Sequence, residues 1–592
     1  AEGGLLIDIK MKKNLVAGYN GSIFNRYTQG VLPKHTIGTD HFFKGKKVDF
    51  STNYSFRSDR NLTRYTDITN FFQNGAIDET WTAEQESMDR RKSHYLNLFL
   101  DYQFNDKNTF SFSSINTLTP NLKRDFDSET LITDISGNQT ASFLTTNATD
   151  FDVFNTSIYL DWLHKLNEKG AELSTNATYT YYDYHRNQQL ENRFTGGEDE
   201  FLSNDSFTTA ADQIINLFSL QTDLTVPLND NSKMETGLRY AGINSEARIE
   251  QTGLDQIRPG TDPTLNGLFN YDEDIYAAYV SLNNNWENWK LNLGLRTEYT
   301  ETLGVLNSDN SKNTNSYLEW FPSFSLSHTL DTKNSVFLKF YRRINRPRYN
   351  SINPFQYFQT VNSIVEGNPN LKPALRNYAS LEYSFDHTLR IVLFGSQQNN
   401  EQSQQVFQDN TANLLRFQYI NLNTNYNAGA DVSISKDITD YWNTFFLLSY
   451  FYDENRFTDF ESNLEQSNSI WTSHIRATNS FKFLSDKSLL VDITYTYFSP
   501  LIDGNARQEA FSEFGISLRK TLWNRKASIS LAIEDLFKNG NSRSTRDYLQ
   551  QSNSTYTRRE TRVFVFGFRY KFGNTKIRDN YKNKDTDENR RI

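Results

Sequence analysis

Apolar side chains recur at every second position through long stretches of this chain. Phe564, Phe566, Phe568, Tyr570 and Phe572 alternate with Gly567, Arg569 and Lys571, and Leu489, Val491, Ile493, Tyr495 and Tyr497 alternate with Asp492, Thr494 and Thr496. Leu291, Leu293, Leu295, Thr297 and Tyr299 stand against Asn292, Gly294, Arg296 and Glu298 in the same way, as do Leu173, Thr175, Ala177, Tyr179 and Tyr181 against Glu172, Ser174, Asn176, Thr178 and Thr180. A period of two belongs to a β-strand, whose successive side chains leave opposite faces. The second face carries charges and amides, and in a dry core each unpaired group would cost roughly several kcal/mol. One face therefore meets an apolar medium and the other meets water or a polar filling.

Short clusters of Asn, Asp, Lys, Ser and Gly, the residues suited to tight turns, punctuate the strands at 44–47, 105–108, 167–170, 229–232, 287–289, 331–334, 386–388, 436–440, 485–488 and 523–526. Each joins two strands, so with one unpaired strand at either end the chain is predicted to hold about 22, the size of a plugged outer-membrane transporter. Many strands exceed the roughly 5 to 6 residues of a sandwich strand, and the short turns recur roughly every 40 to 60 residues, far from the sandwich spacing of about 8 to 12. The pattern predicts an all-β fold, a transmembrane antiparallel β-barrel. Short turns are then periplasmic and long connections extracellular, the longest expected at 67–90, 118–150, 188–213, 251–272, 347–373 and 539–554.

Composition sharpens this picture. Only 37% of residues are apolar, yet 15% are aromatic, a pairing that suits a lipid-facing band flanked by aromatic girdles. Absence of cysteine removes disulfides, thiolate chemistry and cysteine-ligated metals together. The net charge of -9 is spread along the chain and points away from nucleic acid. The eight histidines show no helical metal-ligand spacing, and there is no nucleophile elbow or phosphate loop. No enzyme, metal or cofactor is expected. Acidic clusters at 198–200 and 272–274 read as solvated charge, with calcium as the alternative.

Residues 341–373 interrupt the strand rhythm. They hold four of the 11 prolines, the run Arg342, Arg343, Ile344, Asn345, Arg346, Pro347, the turn Asn353, Pro354, Phe355, and the phrase Gly367, Asn368, Pro369, Asn370, Leu371, Lys372, Pro373. Proline lacks a backbone donor and sits at strand edges and turns, so the stretch reads as an ordered surface loop. These motifs resemble the barrel domain of TonB-dependent outer-membrane receptors, especially those of the Bacteroidetes, with Ala374 where the family usually has glutamate. The strand around Gly567, Tyr570 and Phe572 is similar to the signal that closes such barrels. Residues 1–13, with Gly3, Gly4 and the basic pair Lys12, Lys13, look like the end of a plug domain; the barrel is expected over 14–572, and 573–592 as a polar periplasmic tail that its composition predicts to be disordered.

The resemblance implies import of an extracellular ligand through a plugged barrel. Its partners would be the TonB complex through an upstream plug, outer-membrane lipid and lipopolysaccharide, and a surface lipoprotein or other outer-membrane subunits. A non-transporting structural or assembly subunit of a larger outer-membrane complex is the alternative, marked by the lack of a TonB-contacting segment and by a lumen blocked by the chain's own loops or by a partner. Candidate ligand contacts are Arg342, Arg343 and Arg346, whose guanidinium groups suit anions, and the loop aromatics Trp81, Phe194, Phe355, Tyr357 and Phe358.

Overall fold

The structure, a computed structural model, describes residues 17–592 apart from 198–199, 254–265, 460–461, 575–576 and 578–585. The plug-like residues 1–13 and most of the acidic cluster at 198–200 therefore lie outside the described residues.

Antiparallel strands joined in sequence order form a barrel of 22 strands. The seam is made by the first and last of them: Gly18–Gln29 pairs with Val563–Gly573, from Asn20 opposite Gly573 to Gln29 opposite Phe564. At that seam Gly21 is required by space, because a Cβ there would stand 2.5 Å from a ring carbon of Phe572. Every one of the predicted short turns is present at or within a few residues of its expected place. The largest shift is at 436–440, where the strand Leu414–Thr439 runs on and the turn falls at Asp440 and Tyr441.

Most of the predicted long loops turn out differently; the larger part of the one at 251–272 lies outside the described residues. Where 67–90 was expected to be a loop, the strands Val48–Gln73 and Ala76–Gln103 continue to a turn of Asn74 and Gly75. Likewise Asn108–Asp134 and Gln139–Lys165 fill 118–150, and Glu172–Gly196 and Phe201–Asn229 fill most of 188–213. The 539–554 stretch is itself a hairpin, Ser542–Tyr548 with Gln551–Arg559, paired to the wall at Val48–Gln73. These polar stretches keep their alternation, and cross-strand hydrogen bonds satisfy their backbone as well as water would. A strand of 27 residues is about 90 Å long at about 3.4 Å per residue, so the wall rises well beyond a hydrocarbon core about 30 Å thick.

The lipid belt is legible from exposure. Near the short turns Phe104, Trp286, Tyr441, Phe483 and Trp523 point outward. Eight to twelve residues further along their strands stand Tyr276, Trp320, Tyr450 and Trp471. About ten residues of strand tilted by about 45° rise about 24 Å, the height of the apolar band flanked by aromatic girdles. Between the girdles Leu220, Leu238, Val280, Leu293 and Leu295 are exposed to lipid. Above them, ion pairs such as Arg64–Glu86 at 2.8 Å and Arg124–Asp89 at 2.7 Å decorate the wall.

Candidate functional site in the lumen

The residues 346–373 are not a surface loop. Asn345 ends the strand Asn334–Asn345, Pro347 cannot extend it, and the chain turns inward through one helical turn, Tyr349–Ile352, and a hairpin, Gln356–Thr360 with Ser363–Glu366. Tyr349, Ile352, Phe355, Phe358 and Ile364 are buried, which is the physical reason for the inward turn: these side chains lose water by packing on the inner wall. Ser363–Glu366 also pairs in parallel with Leu415 to Gln418 of the wall, the sole parallel pairing among the described residues.

The prolines and asparagines of the motif hold this segment in place. Asn353 Oδ1 accepts the Phe355 backbone N–H at 3.1 Å. Asn368 donates through its backbone to Ser351 O at 2.7 Å and through Nδ2 to Tyr419 O at 3.1 Å. A Cβ on Gly367 would stand 2.1 Å from Asn353 O, so only glycine lets the two chain passes meet. Pro369 O accepts Asn313 Nδ2 at 2.6 Å, and Lys372 O accepts Gln402 Nε2 at 2.8 Å. Pro354 opens the hairpin, Leu371 is buried under the helical turn, and Pro373 leads into the strand Ala374–Phe385. Ala374, the departure from the usual glutamate, is 1% exposed, where a longer acidic side chain would have no water.

Three of the candidate aromatics meet in one cluster. Phe358 lies edge-on to Phe207 at 5.2 Å and packs with Phe143, Leu190 and Ile364, while Trp81 and Phe194 flank Phe143 at 5.5 Å each. Phe355 belongs to a neighbouring cluster with Ala211, Ile249 and Phe269, and the Arg186 guanidinium lies 4.6 Å over the ring of Tyr357. The sequence-predicted contacts thus form the joint between segment and wall.

The arginines separate. Arg342 pairs with Glu319 at 2.7 Å, and Arg343 lies 4.6 Å over the Tyr341 ring. Arg346 turns inward: its Nη2 donates to Glu298 Oε2 at 2.6 Å and to Thr300 Oγ1 at 3.0 Å, and its Nε stands 3.4 Å from Glu273 Oε1. Arg296 holds the other oxygen of Glu298 at 2.5 Å, and Tyr271 donates to Glu273 at 3.0 Å. This buried chain of alternating charge was not singled out from the sequence, although Arg296 and Glu298 were visible on a polar strand face. The 272–274 cluster is split by strand alternation: Asp272 accepts from Asn244 at 2.8 Å and Asp274 from Tyr240 at 2.7 Å, while Glu273 faces the lumen. A polar recess of about 410 Å³ lies near the top of the seam and is lined by Arg26, Lys34, Arg57, Asp59, Glu534 and Glu560.

The expected periplasmic tail is also placed differently where it is described. Ile577 is buried beside Gly18 and accepts a hydrogen bond from Asn20 at 2.6 Å. Residues 586–592 stand inside the barrel: Arg239 pairs with Glu588, Asn589 Nδ2 donates to Tyr159 OH at 2.8 Å, and Ile592 joins Ile215, Leu217, Ile243 and Tyr349. A composition argument weighs apolar burial alone, whereas these residues are held largely by charge and hydrogen bonds, with Ile577 and Ile592 adding packing.

The profile of the outer membrane protein beta-barrel family matches residues 164–570. The chain belongs to that family. Among solved structures it is similar to the copper transporter OprC, with a TM-score of 0.62 at 12% identity over 95% of this chain and 82% of that one. The ferric enterobactin receptor PfeA of Pseudomonas aeruginosa matches with a TM-score of 0.55 at 12% identity, covering 95% and 82% of the two chains. The alcaligin outer-membrane receptor FauA of Bordetella pertussis matches at 0.54 and 12%, covering 95% and 77%. No curated protein matches the chain in sequence. At such identities the structures share the fold of receptor barrels, and this member of the family is an outer-membrane β-barrel.

Proposed function

We propose that this barrel is the wall of an outer-membrane receptor that binds an extracellular ligand and imports it. The observation that carries the reading is the combination of a closed 22-strand barrel with a lumen-facing wall of charged and amide side chains, width and polarity that a mere membrane anchor does not need. The fold is shared with proteins described as a copper transporter and siderophore receptors, which makes chelated metals the first ligands to try. The ligand would meet the upper wall and the 347–373 segment, with Arg343, Tyr357 and the recess around Arg57 as contact candidates. An upstream plug engaging the TonB complex would supply the energy, and a surface lipoprotein is a candidate partner.

Import is tested by uptake of radiolabelled ferric catecholate, ferric hydroxamate and copper(II) into cells with and without the full natural polypeptide. Loss of uptake of one of them on deletion supports the reading. Unchanged uptake of all three, together with no quenching of tryptophan fluorescence in the purified protein, rejects chelated metal as cargo.

One observation favours a second reading, a structural subunit that transports nothing: the lumen is occupied by the chain's own segment and by residues 586–592. Planar-bilayer recording separates the two. A barrel whose conductance stays closed when the segment is loosened, and which is isolated only within a larger outer-membrane assembly, would be a scaffold.

A further inference from the structure

Arg591 sits in a fully formed receptor for its head group. Its Nη1 and Nη2 donate to the two oxygens of Glu273 at 3.0 and 2.6 Å, its Nε donates to Pro347 O at 2.8 Å, and its guanidinium carbon lies 4.4 Å over the ring of Tyr349. Each nitrogen thus has a partner and one planar face is covered by an aromatic ring. Glu273 and Tyr349 are each 1% exposed. The fork geometry matters: a planar guanidinium spans both carboxylate oxygens, whereas an ammonium is a point charge that meets them one at a time.

The neighbouring cation does not fill this role. Arg346 spends Nη2 on Glu298 and Thr300, and its Nε, at 3.4 Å from Glu273, makes no hydrogen bond. The fork-on face of Glu273 is used by Arg591 alone among the described residues. The site joins three distant parts of the chain: a barrel strand (Glu273), the entry to the inserted segment (Pro347, Tyr349) and the last residues of the sequence. Arg239–Glu588 and the Asn589 contacts with Tyr159 and Thr180 fix the chain just before Arg591.

We propose that Glu273, Tyr349 and the Pro347 carbonyl form a guanidinium-binding site in the lumen, whose occupant is Arg591 of the same chain. Because the site includes the first residues of the inserted segment, its occupancy ties residues 586–592 to the entry of that segment, and emptying it frees them. The proposal does not depend on what the barrel imports.

The natural absence of cysteine allows a direct test in the full chain. Ile592→Cys reports whether residues 586–592 are inside: its labelling by a bulky, membrane-impermeant maleimide in detergent is expected to be slow. Adding Glu273→Gln or Arg591→Ala should accelerate it at least tenfold, and Arg591→Lys should resemble the alanine variant. In the Ile592→Cys chain with Arg591 intact, arginine amide at millimolar concentration should accelerate labelling by competition, and lysine amide should not. Fast labelling of the starting chain, insensitivity to Glu273→Gln, or equal acceleration by both amides overturns the proposal.

Ile592 contributes packing of its own, so the native chain provides a second reading. Trypsin cleavage after Arg590 and Arg591, followed by intact mass, should be slow in the native sequence and at least tenfold faster in Glu273→Gln. Equal rates overturn the site. Heat-modifiable mobility on gels confirms that each variant keeps a closed barrel.

Discussion

Asp67 shows how a single side chain can set a pH response in the tall wall. It lies in Val48–Gln73, nineteen residues above the start of that strand and so well beyond the lipid belt. Burial pushes its carboxyl up to about 6, and its Oδ1 is buried without a hydrogen-bond partner. Because the folded value lies above the ordinary one, the neutral form is favoured by folding. Its stabilising contribution is complete below about pH 4 and is lost as pH rises through about 6. Asp67→Asn is therefore expected to match the parent at pH 4 and to exceed it at pH 7.5 by on the order of 2–3 kcal/mol. Thermal loss of heat-modifiable mobility measured across that range checks this, and parallel profiles would refute it. Arg346 illustrates the opposite case, a charge taken from water and repaid by Glu298, Thr300 and the field of Glu273.

Elements are stabilised by two different media, and two substitutions separate them. Leu293 faces lipid near mid-belt, while Asn292 faces the lumen and bonds Ser325 at 3.0 Å. Leu293→Arg should cost about 2–4 kcal/mol in denaturant unfolding from lipid vesicles, and Asn292→Arg should leave the midpoint nearly unchanged. Similar losses in both would mean that the faces are misassigned. The inserted segment depends instead on packing against protein. Phe358→Ala removes a ring that packs the segment's hairpin against the wall, a loss of about 3–5 kcal/mol that falls on the segment and not on the barrel. Faster trypsin cleavage after Arg348, with barrel mobility on gels unaltered, is the expected result; unchanged cleavage would show that the motif hydrogen bonds alone hold the segment.

For the molecule as a whole, closure is the decisive event, because an open edge of unpaired N–H and C=O groups cannot stay in lipid. Gly21 and Phe572 face one another across the seam. Gly21→Val would put methyl groups into the Phe572 ring and the Tyr19 hydroxyl. The variant should give a larger heat-unmodifiable, unclosed fraction after refolding into detergent, while the same exchange at Gly395, where a Cβ meets nothing within 4 Å, should be tolerated. Equal closed fractions in the two would show that the seam adapts to the added bulk.

The strand count, the short turns and the inward and outward faces were legible along the chain because they depend on a period-two pattern and on turn chemistry, both local. The alternation of Leu291 to Tyr299 against Asn292 to Glu298, for example, is the same whether the strand is free or in the wall. Loop length was misread for a related reason: polar alternating stretches such as 67–90 carry the same local signal in water as in lipid, without the apolar contrast that marks the belt. What no local pattern contains is the destination of an irregular segment. Phe358 finds Phe207, Asn368 finds Tyr419, and Arg591 finds Glu273 only after the barrel has closed around them. The sequence by itself determined a two-faced wall of known strand number. Tertiary structure alone decided what stands inside it, because that choice rests on contacts between residues far apart in the chain.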